Sequence, residues 1–255
     1  MCGIFGVVSG NLQARVDIAA IHPKIKHRGP DDFGSLAWTP SGGGTFYGAP
    51  QPLVGNVVLA HWRLSIFDLS AAGRQPIASK SGRYWLTYNG EIYNFLELRA
   101  ELASKGCVFE TATDTEVLLA AWETYGPACL NKFVGMFSFL LLDQHENKLY
   151  AVRDFFGIKP LFAATQRGRT LFSSEILSLI SQMPDGAKIN DRELAFYLRF
   201  GVVERTEKTL YAGIERVPPG QYWVVDCLTG EVERKVTYYK LPEETLDVSF
   251  EEATR

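Results

Sequence analysis

The chain has 255 residues, of which 46% are hydrophobic and 22% charged, so it can bury the core of one large or two small globular domains. Its formal net charge of −3 provides no basic field for nucleic acid or an anionic membrane, and we expect neither as a partner. No apolar run is long enough to span a membrane, and Asn11, Gln13 and Arg15 interrupt the N-terminus too early for a signal peptide, so we expect a cytoplasmic location.

The first half of the chain predicts strands separated by a helix and a loop. Runs of apolar and β-branched residues predict strands, 3.6-residue periodicity predicts a helix, and glycine with proline predicts a loop. The predictions are a strand at 3–8, a helix at 16–26, a loop at 40–52, a strand at 57–67, and a strand at 84–88 that ends in a turn at Asn89-Gly90.

The second half predicts helices and hairpins in blocks. Helices are expected at 95–105, 113–125, 175–181 and 191–200, and Thr113 or Asp114 can cap the second of them. Hairpins are expected at 135–153, 161–173 and 221–238. Because strands and helices do not alternate strictly, the pattern favours an α+β fold of antiparallel sheets with helices packed outside.

The four cysteines and the four histidines are scattered and show no metal-ligand spacing. No Cys-x-x-Cys pair and no His-Glu-x-x-His sequence occurs. We therefore expect neither a metal site nor a disulfide framework. A cysteine that acts without a metal is the best candidate for chemistry.

Cys2 is the most informative cysteine because it is the second residue of the chain. Removal of Met1 would leave a thiol and a free α-amine on one residue. Their reference pKa values are about 8.5 and about 7.7–8.0, so the amine can accept the thiol's proton near neutral pH. A Met-Cys start alone is weak evidence for catalysis, and other motifs must support it.

Four polar segments could supply a substrate clamp and an oxyanion site, although each also has a purely structural interpretation. His27-Arg28-Gly29-Pro30-Asp31 taken alone is a loop. Arg63 lies in a strand-like run and needs an anionic partner, which a structural salt bridge would also provide. Asn89-Gly90-Glu91 offers an amide, a glycine N–H and a carboxylate, or simply a hairpin turn. Asp114 taken alone is a helix cap.

Taken together, these segments resemble the glutaminase domain of class II (N-terminal nucleophile) glutamine amidotransferases, and within that class the glutamine-hydrolysing asparagine synthetases. The matching stretches follow the family order over nearly the whole chain. They are Cys2-Gly3-Ile4-Phe5-Gly6, His27-Arg28-Gly29-Pro30-Asp31, Arg63-Leu64-Ser65-Ile66-Phe67-Asp68, Gln75-Pro76, Asn89-Gly90-Glu91-Ile92-Tyr93-Asn94, Thr113-Asp114-Thr115-Glu116-Val117, Gly135-Met136-Phe137-Ser138-Phe139, and Arg153-Asp154-Phe155-Phe156-Gly157-Ile158-Lys159-Pro160-Leu161.

The resemblance implies a role for each site residue. Cys2 would attack the carboxamide of glutamine, with its own α-amine as base and then as acid, while Asn89 and Gly90 form the oxyanion hole. Arg63 would bind the α-carboxylate, a bidentate task that suits arginine. The remaining substrate-binding residues would be Glu91 and Asp114, on the α-ammonium group, and Leu64, Ser65, Ile66 and Phe67, which line the pocket.

The resemblance also implies the fold and the partners. It predicts the four-layer αββα sandwich of N-terminal nucleophile hydrolases, with residues 1–240 as the glutaminase domain and 241–255 as a linker toward a C-terminal synthetase domain outside this chain. The glutaminase domain would need no cofactor, whereas ATP and magnesium would serve the synthetase domain. A homodimer remains open as an assembly.

Three alternatives remain. The ammonia could serve another acceptor, such as a sugar, a peptide or an antibiotic precursor. The domain could be a catalytically silent module that only binds glutamine, although the complete set of Cys2, Arg63, Asn89, Glu91 and Asp114 argues against that. It could also be another N-terminal nucleophile hydrolase that cleaves peptides or penicillin-like amides.

Overall fold

The computed structural model describes residues 1–11, 15–66, 70–166, 168–183, 186–241 and 248–254. The strands are β1 (Gly3–Ser9), β2 (Arg15–Asp17), β3 (Asp32–Thr39), β4 (Gly42–Tyr47), β5 (Pro52–Val54), β6 (Val57–Arg63), β7 (Ile77–Ala78), β8 (Tyr84–Ile92), β9 (Gly135–Asp143), β10 (Lys148–Arg153), β11 (Phe162–Gln166), β12 (Arg169–Ser173), β13 (Glu215–Arg216), β14 (Gln221–Asp226) and β15 (Val232–Thr237). The helices are α1 (Ile18–Ile25), α2 (Phe95–Ser104), α3 (Asp114–Tyr125), α4 (Ile176–Ile180), α5 (Asp191–Phe200) and α6 (Phe250–Ala253).

Two antiparallel sheets organise the described residues. The first has the strand order β13-β11-β12-β1-β6-β3-β4, and the second has the order β15-β14-β10-β9-β8-β7. The buried strand β1 lies inside the first sheet between β12 and β6, with Phe5 opposite Ala60. This central position places the start of β1, and hence Cys2, at one end of the sheet core.

The two sheets pack face to face between two layers of helices. Between the sheets, Ile4 and Leu59 of the first contact the cluster that contains Leu140 and Trp223 of the second. The two sheets approach each other closely at Gly6, where a Cβ would lie 2.4 Å from Leu140 Cδ1.

The outer faces of the sheets are covered by helices. Apolar residues of α1 and α4 cover the outer face of the first sheet, and those of α2 and α3 cover the second. This arrangement is the four-layer αββα sandwich, so the predicted fold class is confirmed.

The predicted helices α1–α5 and the three hairpins are present, and two other predictions are wrong. The loop predicted at 40–52 contains strand β4, which pairs with β3 at the edge of the first sheet. Most of β4 is exposed, so it has no buried face to produce an apolar alternation in the sequence.

The second wrong prediction is the turn at Asn89-Gly90, because strand β8 runs unbroken from Tyr84 to Ile92. Its whole length pairs with β9, and Gly90 lies opposite Phe137. A Cβ on Gly90 would meet Met136 O at 2.5 Å. Glycine is therefore required here by a close approach of the neighbouring strand, not by a turn.

The strand predicted at 57–67 ends at Arg63, and residue 67 lies outside the described residues. No helix in the described part of the chain is long and apolar enough to cross a membrane. Across the same ranges, no group of His, Cys, Asp and Glu side chains is arranged to hold a metal ion.

Candidate active site

A cavity opens where the ends of β1 and β6 meet the edge of β8. Gly3 pairs with Trp62 across the antiparallel β1–β6 ladder, so Cys2 comes next to Arg63 and Leu64. The Leu64 amide donates to Cys2 Sγ at 3.4 Å. The cavity is lined by Met1, Cys2, His61, Arg63, Leu64, Ile66, Gly73, Gln75, Tyr88, Asn89, Gly90, Glu91, Thr113, Asp114, Thr115 and Lys159.

The thiol of Cys2 lies in an environment that favours its neutral form. Burial raises its pKa above the ordinary value, and the Leu64 backbone contact, the N-terminal ammonium group, Arg63 and Lys159 oppose that rise only in part. A mainly neutral thiol is a weak nucleophile and needs a base close by.

Beyond its short pairing with β7, the edge of β8 that faces away from β9 carries a row of three backbone amides. The backbone of Phe137 is directed toward β10, since its carbonyl accepts from the Asp154 amide and its own amide donates to Asp154 Oδ2. Gly90 lies opposite Phe137, so in the alternating ladder the Gly90 N–H is directed away from β9. The flanking amides on the same edge have side-chain acceptors: Tyr88 N–H donates to Gln75 Oε1 at 2.7 Å, and Ile92 N–H donates to Asp114 Oδ2 at 3.1 Å.

The middle amide of this row, that of Gly90, has no such side-chain acceptor among the described residues, and Gly90 lines the cavity. A second donor lies next to it. Asn89 is buried, and its side-chain nitrogen Nδ2 has no hydrogen-bond partner among the described residues. Buried donors are nearly always paired, so two adjacent open donors beside a thiol point to an oxygen atom supplied by a ligand.

Two cationic side chains, Arg63 and Lys159, and two carboxylates surround the same cavity. The Arg63 guanidinium is buried and donates to Ser70 O at 2.7 Å. Glu91 and Asp114 both line the cavity, and Asp114 Oδ2 accepts from Tyr88 OH at 2.7 Å. Burial raises the pKa of Asp114, and its hydrogen bonds oppose that rise. Cations and acids around one cavity are complementary to a zwitterion.

The remaining predicted pocket residues divide three ways. Leu64 and Ile66 line the cavity. Ser65 does not: its amide donates to Asp31 Oδ2 at 2.8 Å, and it lines a neighbouring depression. A substrate-binding role for Ser65 stays a prediction. Phe67 lies outside the described residues.

The turn that contains Arg28 and Asp31 supports the backbone around Cys2. Arg28 Nε donates to Cys2 O at 3.1 Å, and its Nη1 pairs with Glu175 at 2.8 Å. The Asp31 amide donates to Arg63 O at 3.0 Å. These contacts hold the ends of β1 and β6 in place and leave both side chains outside the cavity lining.

Sequence reasoning missed several lining residues. Gln75 and Lys159 lie in stretches that carried the family resemblance, and that was the available signal for both. His61 has no such signal. It is buried and its Nε2 is 3.1 Å from Tyr88 O, while burial lowers its pKa to about 4, so it is neutral at pH 7.

Comparisons with known proteins agree with this geometry. The family model described as "Glutamine amidotransferase domain" matches residues 1–239. Asparagine synthetase [glutamine-hydrolyzing] 1 of Bacillus subtilis is 36% identical over 245 residues, which are 94% of this chain and 35% of that protein. A putative asparagine synthetase [glutamine-hydrolyzing] of Mycobacterium tuberculosis is 36% identical over 236 residues, which are 86% of this chain and 34% of that protein.

The chain thus spans about a third of the length of these curated relatives. Among solved structures, glutamine phosphoribosylpyrophosphate amidotransferase from B. subtilis superposes with a TM-score of 0.65 at 19% identity, over 91% of this chain and 49% of that one. A glutamine aminotransferase class-II domain protein from Silicibacter pomeroyi gives a TM-score of 0.53 at 11% identity, over 94% of this chain and all of its own. By fold, family match and sequence similarity, the chain belongs to the class II glutamine amidotransferases and is homologous to the glutamine amidotransferase part of asparagine synthetases.

Proposed function

We propose that this domain hydrolyses glutamine to glutamate and ammonia, with Cys2 as the nucleophile. The observation that carries the proposal is the pair of open donors, Asn89 Nδ2 and Gly90 N–H, in the same cavity as the Cys2 thiol. Such donors stabilise the oxyanion that forms when a nucleophile attacks a carboxamide.

Substrate binding follows from the charges around the cavity. Arg63 pairs with the α-carboxylate of glutamine, and Glu91 and Asp114 bind its α-ammonium group. Leu64 and Ile66, with Phe67 as a further proposed wall, contact the aliphatic chain. This orientation directs the carboxamide toward the sulfur.

The chemistry requires the α-amine of Cys2, and hence removal of Met1. The amine accepts the thiol proton while the sulfur attacks the carboxamide carbon, and the oxyanion is bound by Asn89 and Gly90. The resulting ammonium then donates a proton to the departing nitrogen, which leaves as ammonia. Water attacks the thioester with the amine again as base, and this releases glutamate and restores the thiol.

We further propose that the ammonia serves an asparagine synthetase-type amidation of aspartate. The names of the relatives and the third of their length that the chain spans support a C-terminal synthetase domain, which would use ATP and magnesium. The match that ends at residue 239 supports 1–240 as the glutaminase domain and 241–255 as the start of a linker. A cytoplasmic location is part of the same proposal.

The test measures glutamate and ammonia release from glutamine by the wild type and by Cys2→Ala, together with the intact mass of each protein. We expect equimolar products from the wild type, none from Cys2→Ala, and a mass that lacks methionine. Glutamine binding without release of ammonia by the processed wild type would instead identify a silent binding module.

A further inference from the structure

The segment Arg153–Leu161 is tightly organised, although the proposed chemistry assigns it no task. The Arg153 guanidinium has no carboxylate partner among the described residues and instead donates to three carbonyls. The distances are 2.9 Å to Lys159 O, 2.8 Å to Val217 O and 2.6 Å to Gly157 O. Arg153 therefore braces the loop that begins immediately after it.

Asp154 fixes the same loop from its other side. Its carboxylate accepts hydrogen bonds from four backbone amides, at 3.1 Å from Phe137, 3.1 Å from Phe156, 2.9 Å from Ile158 and 3.0 Å from Lys159. Both the amide and the carbonyl of Lys159 are thus held by charged, buried side chains. The backbone that carries Lys159 is rigid, so its side chain emerges from a defined point.

The side chain that this scaffold presents enters the catalytic cavity. Lys159 is only 4% exposed and lines the cavity together with Cys2 and Glu91. Its ammonium has no hydrogen bond or ion pair with any described residue. Burial lowers its pKa, and the charges of Glu91 and Cys2 oppose that change. Burying an ammonium group costs free energy, and the negative charges that offset this cost in the cavity are those of Glu91 and of the Cys2 sulfur when it loses its proton.

Among the groups of the cavity, the Cys2 sulfur is the one that acquires negative charge during the reaction. The α-carboxylate of glutamine is assigned to Arg63, and Glu91 and Asp114 are occupied by the α-ammonium group. With glutamine bound, Arg63, Glu91, Asp114 and the zwitterion carry a net charge of −1, and Lys159 brings the sum to zero, so its ammonium interacts with the charges of both Glu91 and the Cys2 sulfur. The oxyanion already has two neutral donors, Asn89 and Gly90.

We propose that Lys159 is a positioning residue whose ammonium, held in place by Arg153 and Asp154, stabilises the negative charge that develops on the Cys2 sulfur. This inference rests on the proposed function, in which Cys2 is the nucleophile, but its test measures the ionisation of the Cys2 thiol without glutamine. The other charged or titratable groups near the sulfur are the N-terminal amine, Arg28, His61, Arg63, Tyr88, Glu91 and Asp114. None of them is altered in the test below.

The test measures the rate at which iodoacetamide alkylates Cys2 as a function of pH, without glutamine, in the wild type and in Lys159→Met. Mass spectrometry of the N-terminal peptide follows Cys2, and the peptide with the partly exposed Cys107 serves as an internal reference. Loss of a nearby cation raises the pH midpoint of alkylation, here by about one unit, since a charge within reach shifts a pKa by about 1–3 units. The Cys107 midpoint stays the same.

Two further variants separate charge from structure. Lys159→Arg restores much of the wild-type midpoint because it keeps the charge, whereas Lys188→Met, at an exposed lysine, leaves both midpoints unchanged. Should Lys159→Met not fold, as judged by circular dichroism, Lys159→Gln replaces it with a polar neutral side chain.

An unchanged Cys2 midpoint in a folded Lys159 variant overturns the inference. An unchanged midpoint with a raised KM for glutamine would assign Lys159 to the substrate instead. Failure of the proposed function gives a different result: the wild type would release no ammonia even though the Cys2 midpoint still shifts in Lys159→Met.

Discussion

Asn89→Ala tests the oxyanion hole most directly because it removes a donor that has no partner in the folded protein. Loss of one such donor costs about 10²–10³-fold in kcat, or about 2.7–4 kcal/mol of transition-state stabilisation. KM for glutamine should change by less than about threefold, since the donor acts mainly on the oxyanion of the transition state. Initial rates of glutamate formation over a range of glutamine concentrations measure both constants.

We expect Asn89→Ala to lose activity without a matching loss of stability. The unpaired Asn89 Nδ2 already costs about 1–3 kcal/mol of desolvation, so its removal offsets the packing lost. We expect Tm to change by no more than about 4 °C, because 1 kcal/mol corresponds to about 2–4 °C in a chain of this size.

Asn94→Ala is the matched control for this comparison. Its amide donates to Lys132 O and accepts from Val134 N, both at 2.9 Å, and it is not in the cavity lining. This variant should lower Tm and keep kcat. The reasoning is refuted if Asn89→Ala keeps kcat within about threefold, or loses as much stability as Asn94→Ala.

Three further substitutions test the binding groups and the scaffold. Gly73→Ala would place a Cβ 2.0 Å from Arg63 Nη2 and displace the guanidinium. KM for glutamine should then rise about tenfold or more with little change in kcat. An unchanged KM contradicts the role of Arg63. Because the pKa of Asp114 is raised in the folded state, this residue lowers the stability of the protein as pH rises above the ordinary carboxyl range. Asp114→Asn should therefore compare more favourably with the wild type in stability at about pH 7 than at about pH 3. Its KM for glutamine should be higher. Thermal unfolding at both pH values checks this, and a constant difference would contradict it. Arg153→Met leaves three carbonyls without a donor and should lower the free energy of unfolding in urea by about 3 kcal/mol or more, whereas a loss below about 1 kcal/mol would show that the brace is unimportant.

The sequence alone determined the local elements and much of the chemistry. The hairpins at 135–153 and 221–238 depend on short connections between apolar strands, and such local signals are readable without the fold. The family resemblance carried by the motifs around Cys2, Arg63, Asn89, Glu91 and Asp114 predicted a cavity for an amino acid. The structure brings these five residues to one cavity.

Only the tertiary structure decided how the donors of Asn89 and Gly90 and the buried ammonium of Lys159 come to line the cavity. Asn89-Gly90 resembles a turn in sequence, but its pairing with β9 continues the strand, and pairing between distant segments leaves no local signal. Lys159 resembles an ordinary loop residue until the contacts of Arg153 and Asp154 place it beside Cys2. The first feature depends on pairing between distant segments. The second depends on a local loop whose two anchors, Arg153 and Asp154, also bind the distant Val217 and Phe137, so local residue preferences cannot encode it.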